Sequence, residues 1–338
     1  MHVILVSGPN RAHKLLVLLD GFEITHVRGL GDVRRLRGLA RQRSVVVVDS
    51  LGRVALLGFL SCLVSWSPLV FRVRGSFFQE EREMLRARKG VLRWAQYLAN
   101  TAIGAICLRV ARGVLYNSQY AEDMLGSHDR VAHRAIVHNP YTALTGKDGP
   151  AVEAPAEGLH ILTATNMNAR SKMETLHEAI SDWIPKSFWA DTAATWLICG
   201  GGLHEARLRG LVADLGLEDS IRVLGQVDYL PALYEWCDVF AHLTYLDTFP
   251  NTVMEAMMSA KPVVTNTRSC GTREQVLHGV TGLVFEEGPA VVDAFEAYRA
   301  DPEMGRQHGQ AGLARVEEMF SVAAQARRLR DALDVMCG

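Results

Sequence analysis

The segment LDTFPNTVMEAMMSAKPVV, residues 246–264, sets two carboxylates eight positions apart, Asp247 and Glu255, around Phe249-Pro250-Asn251. Such a pair can work as acid and base, as two anchors for a polar ligand, or as charges on a solvated helix. Pro250 suits a helix start, and Asn251 or Thr248 can cap it. Good helix formers then run to Ala260, and Lys261-Pro262 stops them. Asp247 thus falls in the loop before the helix, with Glu255 on its first turn and a half. The acids flank a helix N-terminus rather than form a close-spaced glycosidase pair. Taken alone, Glu255 reads as an acid complementing the helix dipole.

Two further stretches suit a phosphate-bearing ligand. In TATNMNARSKMETLHEAI a strand ends near Asn166 and a helix begins near Ser171 or Met173, with Arg170 and Lys172 at the junction. Unpaired N–H groups at such a helix start, with adjacent cations, attract a diphosphate. In LICGGGLHEARLRGL, Gly200, Gly201 and Gly202 permit close approach of a ligand or of another backbone. This is not a GxGxxG fingerprint, and a turn needing positive φ explains it equally well.

Short apolar runs alternating with helical segments must position these residues. The first half has them at 3–7, 45–49, 69–75, 113–118 and 135–140, the second at 159–166, 195–202, 220–227, 238–244, 262–266 and 282–288. Uninterrupted β-rich runs of this length suit strands buried on both faces of a parallel sheet. Residues 145–158, rich in Gly, Pro and Ala without periodicity, read as a linker. The expectation is an α/β protein with two domains in series, and 338 residues suffice for two cores. Residues 54–71 are uncharged over 18 positions, near the lower limit for a membrane span. Pro68 and the strand pattern after it favour a buried helix of about a dozen residues, a turn and a strand.

The net charge of −1 hides an asymmetry: residues 1–150 carry 21 Lys and Arg against 11 Asp and Glu, leaving the remainder at −11. A basic half suits an anionic partner. The six cysteines show no CxxC spacing, which argues against zinc and against a disulfide framework and suggests reduced core thiols. MHVILVSG reads as a buried strand rather than a secretion signal, so a cytoplasmic setting is expected.

From LHILTATN onward, about 180 residues in order resemble the donor domain of the retaining GT-B glycosyltransferases of family 4. The match runs through the Arg/Lys loop, the Gly loop, LGLEDSIRVLGQV, the acid segment and GTREQVLHGVTGLVFEEG. The resemblance implies a GT-B fold of two Rossmann-like domains facing across a cleft. Residues 1–148 would bind the acceptor and 149–320 the donor, with 321–338 a C-terminal helix packing back on the first domain. It further implies that Glu255 binds the nucleotide ribose and Asp247 the sugar hydroxyls. N–H groups around Phe249, Pro250, Asn251 and Thr252 would approach sugar and diphosphate. Arg170 and Lys172 would neutralise the phosphates, and Gly225, Gln226 and Val227 would line the base, beside Gly200 and Gly201. Front-face attack, with the departing diphosphate taking the acceptor proton, would need no dedicated base. No cofactor or metal is expected, and the chain contains no Asp-x-Asp.

The sequence departs from the family pattern at four places. The first acid is Asp247 rather than Glu, Thr248 stands where Gly is usual, and Arg74-Gly75 replaces His-Gly on the sugar and acceptor side. The Gly-rich loop after the first strand is reduced to SGPNRAH, with Gly8 its one glycine. Rival readings are a GT-B sugar-nucleotide epimerase and a catalytically silent binding subunit of a membrane complex.

Residues 82–94 gather Arg82, Arg86, Arg88, Lys89 and Arg93 beside Trp94, with Tyr97 following. This suits reversible, salt-sensitive contact with an anionic membrane at the inner face of the cell membrane. The alternative is a surface helix whose Glu80, Glu81 and Glu83 pair with the arginines. The partners expected are a nucleotide sugar and a glycan or lipid-linked acceptor. Nucleic acid is not expected, because the interleaved stacking aromatics of a single-strand binder are missing.

Overall fold

The described strands form two parallel sheets of six each, and the apolar runs supply all but one of them. The computed structural model describes residues 1–7, 13–39, 44–49, 53–75, 81–82, 85, 90–125, 131–143, 146, 158–268 and 271–338. Contacts divide the chain into two units, 1–142 with 320–338, and 143–319. Gly8, Glu80, Glu83, Arg86, Arg88, Lys89, Cys270, and residues 145 and 147–157 of the expected linker lie outside the described residues.

The first unit contains β1 (His2–Val6), β2 (Glu23–Val27), β3 (Ser44–Val48), β4 (Leu69–Val73), β5 (Gly113–Tyr116) and β6 (His133–Ile136). They lie in the order β2-β1-β3-β4-β5-β6, all parallel. Successive side chains alternate between two cores. Ile4, Val6, Val46, Val48 and Phe71 face one core, under the helices Arg53–Ser65 and Val91–Val110. Val3, Leu5, Val45, Val47 and Val70 face the other, against Leu329 and Leu333 of the helix Val322–Cys337. Ser321 caps that last helix, accepting the Ala324 N–H.

Two sequence expectations for this unit change. Five strands are legible in the sequence and six are present. β2 escapes notice because EITHV is broken by polar residues and lies exposed at the sheet edge, where both faces need not be apolar. The apolar segment 54–71 does form a helix, a turn and a strand, but the helix is not buried: Leu56 and Leu63 face solvent. Among the described residues no helix is long and apolar enough to cross a membrane. The five described cysteines are free thiols.

The second unit contains β7 (His160–Ala164), β8 (Thr195–Cys199), β9 (Ile221–Gly225), β10 (Val239–His242), β11 (Val263–Asn266) and β12 (Gly282–Phe285). The order is β12-β11-β10-β7-β8-β9, again all parallel. One side of the sheet carries an aromatic core of Trp196 stacked on Trp189, with Phe188 and Phe295 against them. From β7 the chain winds outward through β8 and β9, then returns to place β10 on the other side of β7. The loops leaving β7 and β10 therefore diverge, opening the crevice in which doubly wound sheets bind ligands. The same reversal falls between β1 and β3 in the first unit.

Candidate active site

Lys172 and Asp247 meet at the reversal in the second unit. Lys172 is the third residue of the helix Arg170–Glu178, which follows β7, and Asp247 lies in the loop that follows β10. Lys172 Nζ is 2.7 Å from Asp247 Oδ2, with the Asp247 side chain only 10% exposed. Asp247 Oδ1 accepts the Phe249 N–H at 3.4 Å. The loop is tied to the same helix by Thr244 Oγ1, which donates to the Ser171 carbonyl at 2.9 Å.

His242, the last residue of β10, is fully buried beside this pair, its Nε2 3.7 Å from Asp247 Oδ2. Burial lowers its pKa from 6.5 to about 4, outweighing the upward pull of Asp247, and Lys172 lowers it further. The ring is neutral at neutral pH, so Lys172 supplies the cation facing Asp247. A polar residue closing an apolar strand was the only sequence signal for His242.

Glu255 is half buried on the helix Asn251–Met258. The Tyr234 hydroxyl stands 3.1 Å from its Oε2 and 3.2 Å from the Thr252 carbonyl, and its single proton serves one of them at a time. Burial, then the Glu255 charge, raises the Tyr234 pKa well above its ordinary value, so the phenol stays a donor. Neither Asn251 nor Thr248 takes the cap position: it falls on Pro250, and Asn251 is the first helical residue. Phe249 and Pro250 are buried.

The GTREQ segment, which sequence reasoning treated only as part of a pattern, holds the acid loop in place. The Gly271 N–H donates to the Asp247 carbonyl at 3.2 Å, and a Cβ at Gly271 would lie 2.1 Å from the Thr248 carbonyl oxygen. Gln275 Nε2 donates to the Pro250 carbonyl at 2.9 Å. Only glycine permits the first contact, and the second ties the buried Gln275 side chain to the N-cap carbonyl of the acid-bearing helix.

The glycines sort into two kinds. Gly200 has φ +125°, and a Cβ there would meet the Thr165 carbonyl oxygen at 1.7 Å. Gly202, at φ +153°, abuts the Met167 backbone in the same way. Both glycines therefore serve loop-on-loop packing. A Cβ on Gly201, by contrast, would find nothing nearer than Gln226 Cβ at 3.5 Å. Gly200 N–H donates to the Gly225 carbonyl at 2.7 Å, joining the ends of β8 and β9, where Gln226 is exposed and Val227 half exposed.

Two of the expected site cations are ion-paired to acids of their own unit. Arg170 is largely exposed and pairs with Glu174 one turn along its own helix. Arg74 is ion-paired in the first unit: its Nε lies 3.1 Å from Asp49 Oδ1, beside the fully buried Arg72, whose Nη1 is 3.4 Å from the same oxygen. Arg72 Nη2 also donates to Asn139 Oδ1 at 2.9 Å. Gly75 follows, half buried. This cluster stands at the carboxyl ends of β3, β4 and β6, on one side of the reversal between β1 and β3.

A cavity of about 250 Å³ lies at the opposite, amino-terminal edge of the second sheet, lined by Gly158, Leu159, Asp238 and Pro262. It contains none of these groups. Among the described residues no three His, Cys, Asp or Glu side chains gather to hold a metal.

Two Rossmann-like parallel-sheet domains, the second with an acid and a lysine paired at its crevice, define the GT-B fold class. Residues 154–315 match the family model described as Glycosyl transferases group 1. A putative viral glycosyltransferase, ORF31 (virus isolate Australia/Victoria), is 28% identical over 228 residues, covering 66% of this chain and 65% of that protein. The lipopolysaccharide core biosynthesis mannosyltransferase LpcC of Rhizobium leguminosarum bv. viciae is 25% identical over 225 residues, 64% of this chain and 63% of that protein. The chain thus spans less than two thirds of the length of either relative. Anabaena Alr3699/HepE in complex with UDP has the same fold, with a TM-score of 0.73 at 16% identity over 99% of this chain and 100% of that one.

Proposed function

We propose that this chain is a family 4 glycosyltransferase that moves a sugar from a nucleoside diphosphate sugar to a glycan or lipid-linked acceptor, with retention of anomeric configuration. The Lys172–Asp247 pair at the carboxyl edge of the second sheet carries the reading. It sets a cation where a diphosphate would lie against the helix N-terminus at Arg170, and an acid where sugar hydroxyls would be held. Glu255, held on one oxygen by Tyr234, is suited to accept ribose hydroxyls. The match to the Glycosyl transferases group 1 model and the UDP and UDP-glucose complexes of HepE support the same class of donor.

In the proposed step the acceptor hydroxyl oxygen bonds to the anomeric carbon from the face the diphosphate leaves. The bond from that carbon to the phosphate oxygen breaks, and the departing phosphate takes the acceptor proton. Lys172 meets the charge growing on the leaving group, with Arg170 adding a longer-range term. Asp247 must then give up part of its hold on Lys172 and exchange it for sugar hydroxyls. No group on the chain is required as a base, and no metal is invoked.

The test combines thermal stabilisation by a panel of UDP-, GDP- and ADP-sugars with NMR assignment of the product anomer. Glu255→Gln is expected to keep the fold and lose about 1–3 kcal/mol of nucleotide binding. Unchanged affinity in that variant would return Glu255 to a dipole-complementing role, and an inverted product would remove the retaining mechanism.

A further inference from the structure

His242 is a buried titratable side chain that the proposed transfer step does not use. It ends β10 at 3% exposure, and its carbonyl accepts the Thr265 hydroxyl of β11 at 2.9 Å. Its Nε2 is buried and makes no hydrogen bond. A ring nitrogen taken out of water without a partner works against folding, and an apolar residue would end the strand without that penalty. What Nε2 faces is Asp247 Oδ2, at 3.7 Å. A hydrogen bond to it needs about 2.9 Å, so the gap is less than an ångström too wide.

Oδ2 is turned to Lys172 instead. The ammonium meets it at 2.7 Å as an ion pair, without the alignment of a hydrogen bond, and Oδ1 takes the Phe249 N–H only at 3.4 Å. Two donors from separate elements, the ammonium after β7 and the imidazole on β10, thus flank one carboxylate oxygen, and one of them is within bonding distance. A diphosphate at the helix start beside Arg170 carries more negative charge than Asp247 and would draw the ammonium to itself. That would strand a buried carboxylate oxygen unless a second donor took it. His242 is placed to be that donor, with its proton on Nε2.

We infer that His242 is a positioning residue that takes over Asp247 Oδ2 from Lys172 when a donor diphosphate binds, leaving Oδ1 for a sugar hydroxyl. The inference rests on the donor reading proposed above. His242 acts through Asp247 and, being buried, does not touch the sugar. The change is an exchange of partners with no proton transferred: the imidazole keeps its N–H and Lys172 stays an ammonium. It frees Lys172 for the leaving group and holds the acid in a fixed orientation at the same time.

The test begins with NMR of the full chain labelled with ¹⁵N-histidine. Lys172→Met removes the ammonium without any ligand, and the His242 Nε2–H proton should then move downfield and exchange slowly with water. In the parent, whichever of UDP, GDP or ADP gives the largest thermal stabilisation should produce the same shift. An unchanged His242 resonance in Lys172→Met overturns the inference, and so does an unchanged one in the nucleotide-bound parent. Kinetics supply the second arm. His242→Leu removes the donor at nearly the same volume, so it should unfold in urea no earlier than the parent, yet lower kcat for sugar transfer about tenfold with little change in KM. His242→Gln, which keeps a side-chain N–H near the place of Nε2, should recover most of that loss. A merely structural histidine would instead lose stability in the leucine variant and leave kcat alone. Parent-like kcat in His242→Leu, or equal losses in both variants, overturns the inference. The two readings fail separately: no stabilisation by any of the three nucleotides removes the donor reading, whereas transfer without the His242 shift removes only the exchange.

Discussion

Lys172 Nζ and Asp247 Oδ2 stand 2.7 Å apart, joining the helix after the first strand of the second unit to the loop after its fourth. The pair spans the line where the sheet reverses direction. His242, neutral and buried against it, makes the arrangement sensitive to both charge and pH.

Removing the lysine should be visible on the histidine. Lys172 is one of the groups holding the His242 pKa down, so Lys172→Ala should raise it above the parent value of about 4, as read from imidazole chemical shifts. In the parent, the unfolded chain binds a proton on His242 below 6.5 that the folded chain refuses until about 4. Stability therefore falls as pH drops through that window, by on the order of 3 kcal/mol from this residue. His242→Gln should flatten that part of the urea-unfolding profile, and an unchanged slope would show that His242 does not titrate as described.

The neighbouring glycines should respond oppositely. Gly200→Ala forces a Cβ against the Thr165 carbonyl at a positive φ, and a loss of about 3 kcal/mol or more is expected in denaturant unfolding. Gly201→Ala has room for its methyl group, so stability should stay within about 1 kcal/mol of the parent. Its UDP affinity should nonetheless fall if the donor approaches that backbone; equal affinity would confine the loop's role to packing.

In the first unit, Asp49 is the shared counter-ion of Arg72 and Arg74. Burial lowers the Arg72 pKa to about 10, which still leaves it charged at neutral pH. Asp49→Asn should cost about 3–5 kcal/mol, because it strands a buried guanidinium. Adding Arg72→Met should recover much of that loss. If the double variant is no better than the single, Asp49 matters through contacts other than Arg72.

Much of this molecule was legible before folding. Unbroken runs such as VVVV at 45–48 announce strands buried on both faces, and eleven of the twelve described strands overlap the apolar runs read from the sequence. The acid segment likewise announces a helix start, since Pro250 and Lys261-Pro262 bracket it chemically. Local chemistry says nothing about strand order. The Lys172–Asp247–His242 contact exists only because β10 returns to the side of β7, bringing together side chains more than 70 residues apart. Sheet order likewise made Gly200 a packing residue and Gly201 an open one, since what a Cβ would strike depends on the neighbouring loop. The same holds for the apolar helix 53–65, whose composition implied burial. Its outward side is exposed because no described element of the first unit covers it, and coverage is a property of the assembled layers rather than of the helix itself.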